Sequence, residues 1–152
     1  MIACVQRVKR AAITVDSESI AGIGPGMLVL LGLGRGDTYA EGQRLIDKIL
    51  RLRIFSDADD RMNLNLSQVQ GELLLVSQFT LLGDTRRGNR PGFEQAMPPE
   101  EAQALYGQLC DYARNVFERV QFGRFGAHMQ IELLNDGPVT FLLGYNPLPQ
   151  KE

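Results

Sequence analysis

A Gly-Pro dipeptide divides two apolar runs near the C-terminal end of this chain. In Asn135-Asp136-Gly137-Pro138-Val139-Thr140 it lies between residues 129–134 and 139–143. Either run alone reads as a buried strand. Proline removes a ladder donor and is confined to edges, bulges or turns. An X-Pro bond is also the one common place where a cis peptide is cheap, at roughly 0.5–1 kcal/mol. The adjoining glycine lets main-chain carbonyls approach another molecule with no side chain between them. Asn-Asp-Gly is equally good hairpin-turn chemistry. The segment alone leaves two readings open: an ordinary turn, or backbone offered to a ligand.

The 152 residues suffice for one domain with a sizeable core, and 44% apolar with 22% charged residues is ordinary for a soluble globular protein. No apolar run approaches the roughly 20 residues of a membrane span. Gln6, Arg7, Lys9 and Arg10 interrupt what a signal peptide would need as its apolar core. Cys4 and Cys110 are far apart and lack metal-ligand spacing, which suits a reducing compartment. The expectation is a cytoplasmic protein with no membrane contact. A net charge of −2 argues against coating long stretches of nucleic acid, DNA included. It leaves room for local contact with a nucleic-acid end, for which Arg86, Arg87 and Arg90 form a cluster.

Residues 1–36 read as a β meander, with strands at 1–8, 12–15, 20–23 and 27–33. Thr38 and Glu41 have capping-box spacing ahead of the stripe Leu45, Ile46, Ile49 and Leu50, so a helix begins near Thr38. Residues 56–71 are turn-rich, 72–82 read as a buried strand, and 83–92 as a basic, glycine-rich loop. A second helix opens at Pro98-Pro99-Glu100-Glu101 and shows one apolar face through Ala102, Leu105, Leu109, Tyr112, Ala113 and Val116. The pattern is a single domain of mixed α and β.

Most catalytic signatures fail on spacing. The glycine clusters at 22–26 and 32–36 lack the final step of a dinucleotide fingerprint, and no P-loop lysine follows. His128 is the only histidine, reads as solvent-facing, and has no partner for a metal site. Neither cofactor nor metal is expected. Ser77-Gln78-Phe79-Thr80 ends the most apolar strand, where burying polar groups is costly without partners. Yet there is no nucleophile elbow and no acid–base companion nearby. Hydrolysis here would draw on backbone donors, positioning and the substrate itself.

Ser77-Gln78-Phe79-Thr80-Leu81 and Asn135-x-Gly137-Pro138-Val139-Thr140 together resemble the two signature motifs of D-aminoacyl-tRNA deacylases. The likeness extends to Met1-Ile2-Ala3, Gln6-Arg7-Val8, Arg53-Ile54-Phe55-Ser56-Asp57, Met62-Asn63-Leu64, Asp84-Thr85, Gly88-Asn89-Arg90-Pro91 and Phe125-Gly126-Ala127 with Met129. One departure is Phe122 before Gly123, where many members have threonine; it bears on local packing only.

The resemblance implies a homodimeric hydrolase that frees D-amino acids, and mischarged glycine, from the 3′ acceptor end of tRNA. It implies that Gly137 and Pro138, joined by a cis bond, enter the partner subunit's active site and exclude L side chains. Arg7 would orient that dipeptide, with Asn135 and Thr140 in support. Ser77, Gln78, Phe79 and Thr80 would form the catalytic strand end, with the Phe79 N–H facing the developing oxyanion and the RNA 2′-hydroxyl assisting. Phe125 and Met129 would meet the terminal adenine, or else pack in the core; Arg86, Arg87 and Arg90 would meet phosphates. The expected fold is α/β: a single compact domain over 1–145 with a mixed, largely antiparallel, barrel-like β-sheet and two main helices packed outside, then a tail of 146–152. Two rivals stand beside this: a non-catalytic RNA-binding module, and a hydrolase with a covalent serine or threonine nucleophile.

Overall fold

A strand too long and too irregular for one sequence period organises the molecule. In the computed structural model, which describes residues 1–144, β1 runs unbroken over Ile2–Val15. Its buried residues are Ala3 and Val5, then Val8, then Ala11, Ile13 and Val15. The period of two slips at each side of Val8, and the pairing with the last strand shifts register at those places. Two strands, at 1–8 and 12–15, were expected; the slips and the polar Lys9-Arg10 pair hide their continuity. Ala3 and Val5 face one apolar cluster, whereas Val8, Ala11, Ile13 and Val15 face another.

Along one side of β1 lie β2 (Glu18–Ile23) and β3 (Gly26–Gly32), both antiparallel to it. Helix α1 (Tyr39–Arg51) follows, opened by the expected capping box: Glu41 N–H donates to Thr38 Oγ1, and Thr38 N–H to Glu41 Oε2. A small hairpin, β4 (Phe55–Ser56) with β5 (Met62–Leu64), replaces part of the loop expected at 56–71. Strand β6 (Glu72–Ser77) then pairs parallel with β3. Leu73 and Leu75 face the helices, and Leu74 and Val76 face the cluster inside the sheet. Burial on both faces explains why this strand is continuously apolar.

Helix α2 (Pro99–Val116) begins on Pro99 and buries Ala102, Leu105, Tyr106, Leu109, Cys110 and Ala113. Tyr112 is only half-buried and Val116 is exposed, so the buried face is rotated from the one expected. The short β7 (Val120–Phe122) pairs parallel with β6 and comes close to β2, where Gly22 N–H donates to Gln121 Oε1 at 2.9 Å. This contact nearly closes the sheet β2-β1-β3-β6-β7, with both helices outside it. The mixed, barrel-like α/β domain is as expected. The tail at 146–152 lies outside the described residues.

The last strand, β8 (Gln130–Leu143), pairs along the other side of β1 and passes straight through Gly137–Pro138. Its two apolar runs were expected to be buried. Instead only Val139 is, and Leu133, Leu134, Phe141 and Leu142 are exposed. The sequence pattern is that of a buried strand, but among the described residues no further strand pairs with the outer side of β8.

A Cβ at Gly26 would stand 1.9 Å from the Glu72 carbonyl oxygen, whereas one at Gly107 of α2 meets nothing within 4 Å. Gly26→Ala should therefore lower unfolding stability by about 3 kcal/mol through forced separation of β3 and β6. Gly107→Ala should raise it by about 0.5–1 kcal/mol. Urea denaturation of the two variants checks both signs.

Candidate active site

The strand expected over 72–82 stops at Ser77. Gln78 N–H donates to the Leu31 carbonyl at 2.7 Å, and Phe79–Leu82 then curls into a 3₁₀ turn. Gly32 on the neighbouring strand makes this possible. A Cβ there would lie 2.5 Å from Leu82 Cδ2 and 2.9 Å from the Gln78 carbonyl oxygen. The N–H groups of Phe79 and Thr80 open the turn and have no acceptor among the described residues. Gln78 Nε2 donates to Thr80 Oγ1, so these two side chains satisfy one another.

Beside this turn is a pocket of about 520 Å³. Ser77, Gln78 and Phe79 form one wall, and Phe125 with residues 126–129 forms the facing one. Phe93, Met97 and Ala102 complete an apolar lining. Phe79 is 57% exposed and meets Phe93 edge-on, with ring centroids 5.1 Å apart. Phe125 and Met129 serve two purposes. Each lines the pocket, while Phe125 also packs on Tyr106 and Met129 on Gly123. Tyr106 braces this region from α2, with its hydroxyl donating to the Leu75 carbonyl at 2.9 Å. Burial raises its pKa, and burial likewise pushes the neighbouring Cys110 thiol up to about 11, so neither serves as a ready acid or thiolate. Thr80 is exposed and is not part of the pocket wall.

His128 is exposed, as expected, but it also lies on the pocket wall, where it is the only ionisable side chain. Exposure alternates from Arg124 to Gln130, with Phe125, Ala127 and Met129 turned inward. That alternation was legible; that the segment borders the pocket was not, because the path of the chain after β7 decides it. Phe93, Met97 and Ala102 were missed for a similar reason, each reading as loop or core.

Gly137 and Pro138 are exposed on β8, joined by a cis bond, and neither lines this pocket. Side chains hold them from below. Arg7 is largely buried, and its Nε donates to the Asp136 carbonyl at 2.9 Å while its Nη1 donates to the Ile54 carbonyl at 2.7 Å. Asn135 Nδ2 donates to the carbonyls of Arg7 and Val139 at 3.1 and 3.0 Å, and its Oδ1 accepts from the Val139 N–H at 3.1 Å. Thr140 Oγ1 accepts from Gln6 Nε2 at 3.3 Å. The chain thus gathers Arg7, Asn135, Gly137, Pro138 and Thr140 in one place, and Ser77, Gln78, Phe79, Phe125 and Met129 in another.

The basic loop joins the pocket through Phe93. Asp84 and Gly92 close it with paired main-chain bonds of 2.8 and 2.9 Å. Arg86 grips Asp84 through both carboxylate oxygens and holds that carboxyl well below the usual range. Arg87 and Arg90 are exposed and carry the loop's outward charge. Among the described residues no three His, Cys, Asp or Glu side chains converge as metal ligands. No helix there is long and apolar enough to cross a membrane.

Residues 4–144 match the family model described as D-Tyr-tRNA(Tyr) deacylase. A D-aminoacyl-tRNA deacylase of Acinetobacter baumannii (strain AYE) is 55% identical over 143 residues, spanning 94% of this chain and 97% of that protein. One from Xanthomonas oryzae pv. oryzae is 53% identical over 144 residues, spanning 94% and 99%. Among solved structures, the c-Myc DNA Unwinding Element Binding Protein superposes with a TM-score of 0.90 at 42% identity, covering 96% of this chain and 99% of that one. A probable eukaryotic D-amino acid tRNA deacylase shares the fold, with a TM-score of 0.77 at 20% identity, covering 93% and 97%.

Asn135→Ala leaves the Arg7 carbonyl and both Val139 main-chain groups short of a partner. It should cost about 2 kcal/mol of stability. Hydrogen exchange at the Val139 amide should accelerate by more than the global loss requires.

Proposed function

The chain belongs to the D-Tyr-tRNA(Tyr) deacylase family and is a hydrolase that deacylates D-aminoacyl-tRNA, and from that premise we propose how it chooses and cleaves its substrate. Two copies associate through the exposed apolar side chains of β8. The Gly137–Pro138 backbone of one copy closes the pocket of the other. An unpaired, apolar edge strand is a surface that associates, and Leu133, Leu134, Phe141 and Leu142 supply it.

The observation that carries this reading is that Gly137 and Pro138 are held by part-buried side-chain bonds on either side, yet are exposed among the described residues. Main-chain carbonyls there bind the substrate α-amino group and fill the space that an L side chain needs. Selection is by exclusion. A wall of this kind admits D side chains, which point away, and it admits glycine, which has none.

The pocket has one wall of apolar and aromatic side chains, suited to stacking the terminal adenine on Phe79, Phe93 or Phe125. Arg87 and Arg90, with Arg86 in the same loop, meet acceptor-end phosphates. Cleavage relies on placement. The 2′-hydroxyl of the terminal ribose assists attack on the ester, and the Phe79 N–H, with its neighbours, receives the developing negative charge. Positioning supplies about 7–11 kcal/mol in favourable cases, and an oxyanion donor about 3–4 kcal/mol. A side-chain nucleophile is then unnecessary. The two free cysteines are at home in the reducing cytoplasm.

The test is release of free amino acid from D-tyrosyl-, L-tyrosyl- and glycyl-tRNA. The D and glycyl substrates should be cleaved and the L substrate spared; binding without release would favour an RNA-binding module instead. Ser77→Ala and Thr80→Ala should each retain activity within about tenfold, because neither hydroxyl is asked to form a bond. A Thr80→Ala protein that binds substrate normally but is inactive, or an acyl-enzyme trapped on either residue, would overturn the substrate-assisted route. A Cβ at Gly137 would stand 2.4 Å from the Val139 nitrogen. Gly137→Ala must therefore shift the dipeptide, and should depress cleavage of the D substrate.

A further inference from the structure

A second depression, of about 480 Å³, is lined by residues 120–124, which lead directly into the pocket-lining residues 125–129. It sits at the seam where the sheet nearly closes, with Ile20 and Ala21 of β2 on one side and Val120–Phe122 of β7 on the other. Its lining includes two guanidinium groups, Arg114 and Arg124, and, among the described residues, no carboxylate. Arg114 is fixed in place, 4.5 Å over the centre of the Phe122 ring and 3.0 Å from Asp111 Oδ1. The phenylalanine that departs from the family pattern is therefore the platform for this cation.

Arg124 differs. It is exposed, and its side chain makes no ion pair or hydrogen bond with the described residues. It stands where the two linings meet along the chain: Gly123 and Arg124 line the depression, and the very next residue, Phe125, lines the pocket. A chain of phosphodiesters whose end lies in the pocket can leave it past Arg124. Guanidinium groups suit phosphate because their fork of donors matches two of its oxygens.

We propose that this arginine-lined depression takes a backbone phosphate of the substrate RNA, with Arg124 the principal contact and Arg114 the second. The site positions the RNA and reads no sequence. Its arginines are separate from Arg87 and Arg90, and they would hold the acceptor strand beside β7. The proposal rests on the deacylase reading for its ligand.

The test compares wild type with Arg124→Gln and Arg124→Lys, using two measurements. The first is the affinity for uncharged tRNA by fluorescence anisotropy across a salt series. The second is steady-state cleavage of D-tyrosyl-tRNA beside D-tyrosyl-adenosine, which has the ester but no phosphate. Arg124→Gln should weaken tRNA binding and raise KM for the tRNA substrate about five- to tenfold. The slope of log affinity against log salt should become shallower by about 0.7–0.9. Its kcat, and its behaviour on D-tyrosyl-adenosine, should match wild type, and Arg124→Lys should recover most of the loss. Arg114→Gln should act in the same direction.

Unchanged tRNA affinity and salt slope in Arg124→Gln would overturn the proposal. An equal loss on D-tyrosyl-adenosine would do the same, since it would place Arg124 at the ester. If wild type released no amino acid at all, the deacylase reading would fall, while the affinity comparison would still decide the phosphate site.

Discussion

Proline at 138 and the register slips around Val8 remove ladder bonds from the middle of the β1–β8 pair. Two side chains stand in for them. Asn135 bridges the main chain of Arg7 and of Val139, and Arg7 reaches from β1 to the carbonyl of Asp136. The substitution keeps β8 in one piece across a dipeptide that would otherwise make it turn. Among the described residues no buried side-chain nitrogen or oxygen lacks a partner, so the interruption is tolerated. The proposed selection against L side chains depends on this brace, because it sets where Gly137 and Pro138 point.

Its consequence is a division of labour between distant parts of one chain. The pocket belongs to the end of β6, the 3₁₀ turn and the segment after β7, all shaped by the parallel pairing of β3 with β6. The dipeptide belongs to the sheet's outer edge. The proposed main-chain filter would need no titratable group, which accords with a pocket wall whose only ionisable side chain among the described residues is His128. In the proposed dimer, the exposed leucines and phenylalanine of β8 would join the two parts between copies.

Signals confined to a few residues were legible in the sequence. Thr38 with Glu41 foretold the helix start, because a capping box is satisfied within one turn, and Pro99 the next one, because proline suits the first helical position. The turn chemistry of Asn135-Asp136-Gly137 pointed the wrong way only when read alone, since the partners that overrule it, Arg7 and Ile54, lie far off in sequence. The end of β6 was overrun by five residues in the reading of 72–82. What leaves room for the chain to turn there is Gly32 on a neighbouring strand, and no local pattern records that. Burial of β8 was misjudged because apolar alternation shows that a face will be covered and not by which chain. The motif residues, and the placing of Gly137 and Pro138 apart from their own chain's catalytic strand end, were named through resemblance and not from any pattern in the residues themselves.

The claim that one copy's backbone completes the other's pocket can be met directly by subunit complementation. Gly137→Ala spoils the filter, and Ala127→Trp fills the pocket, so each variant expressed alone should deacylate D-tyrosyl-tRNA poorly. Co-expressed, they form mixed dimers in which one of two composite sites has an intact pocket and an intact dipeptide. The account predicts recovery to roughly one quarter of wild-type activity in a randomly assorted population. A co-expressed sample no more active than the two variants assayed separately, with mixed dimers demonstrably present, would contradict it.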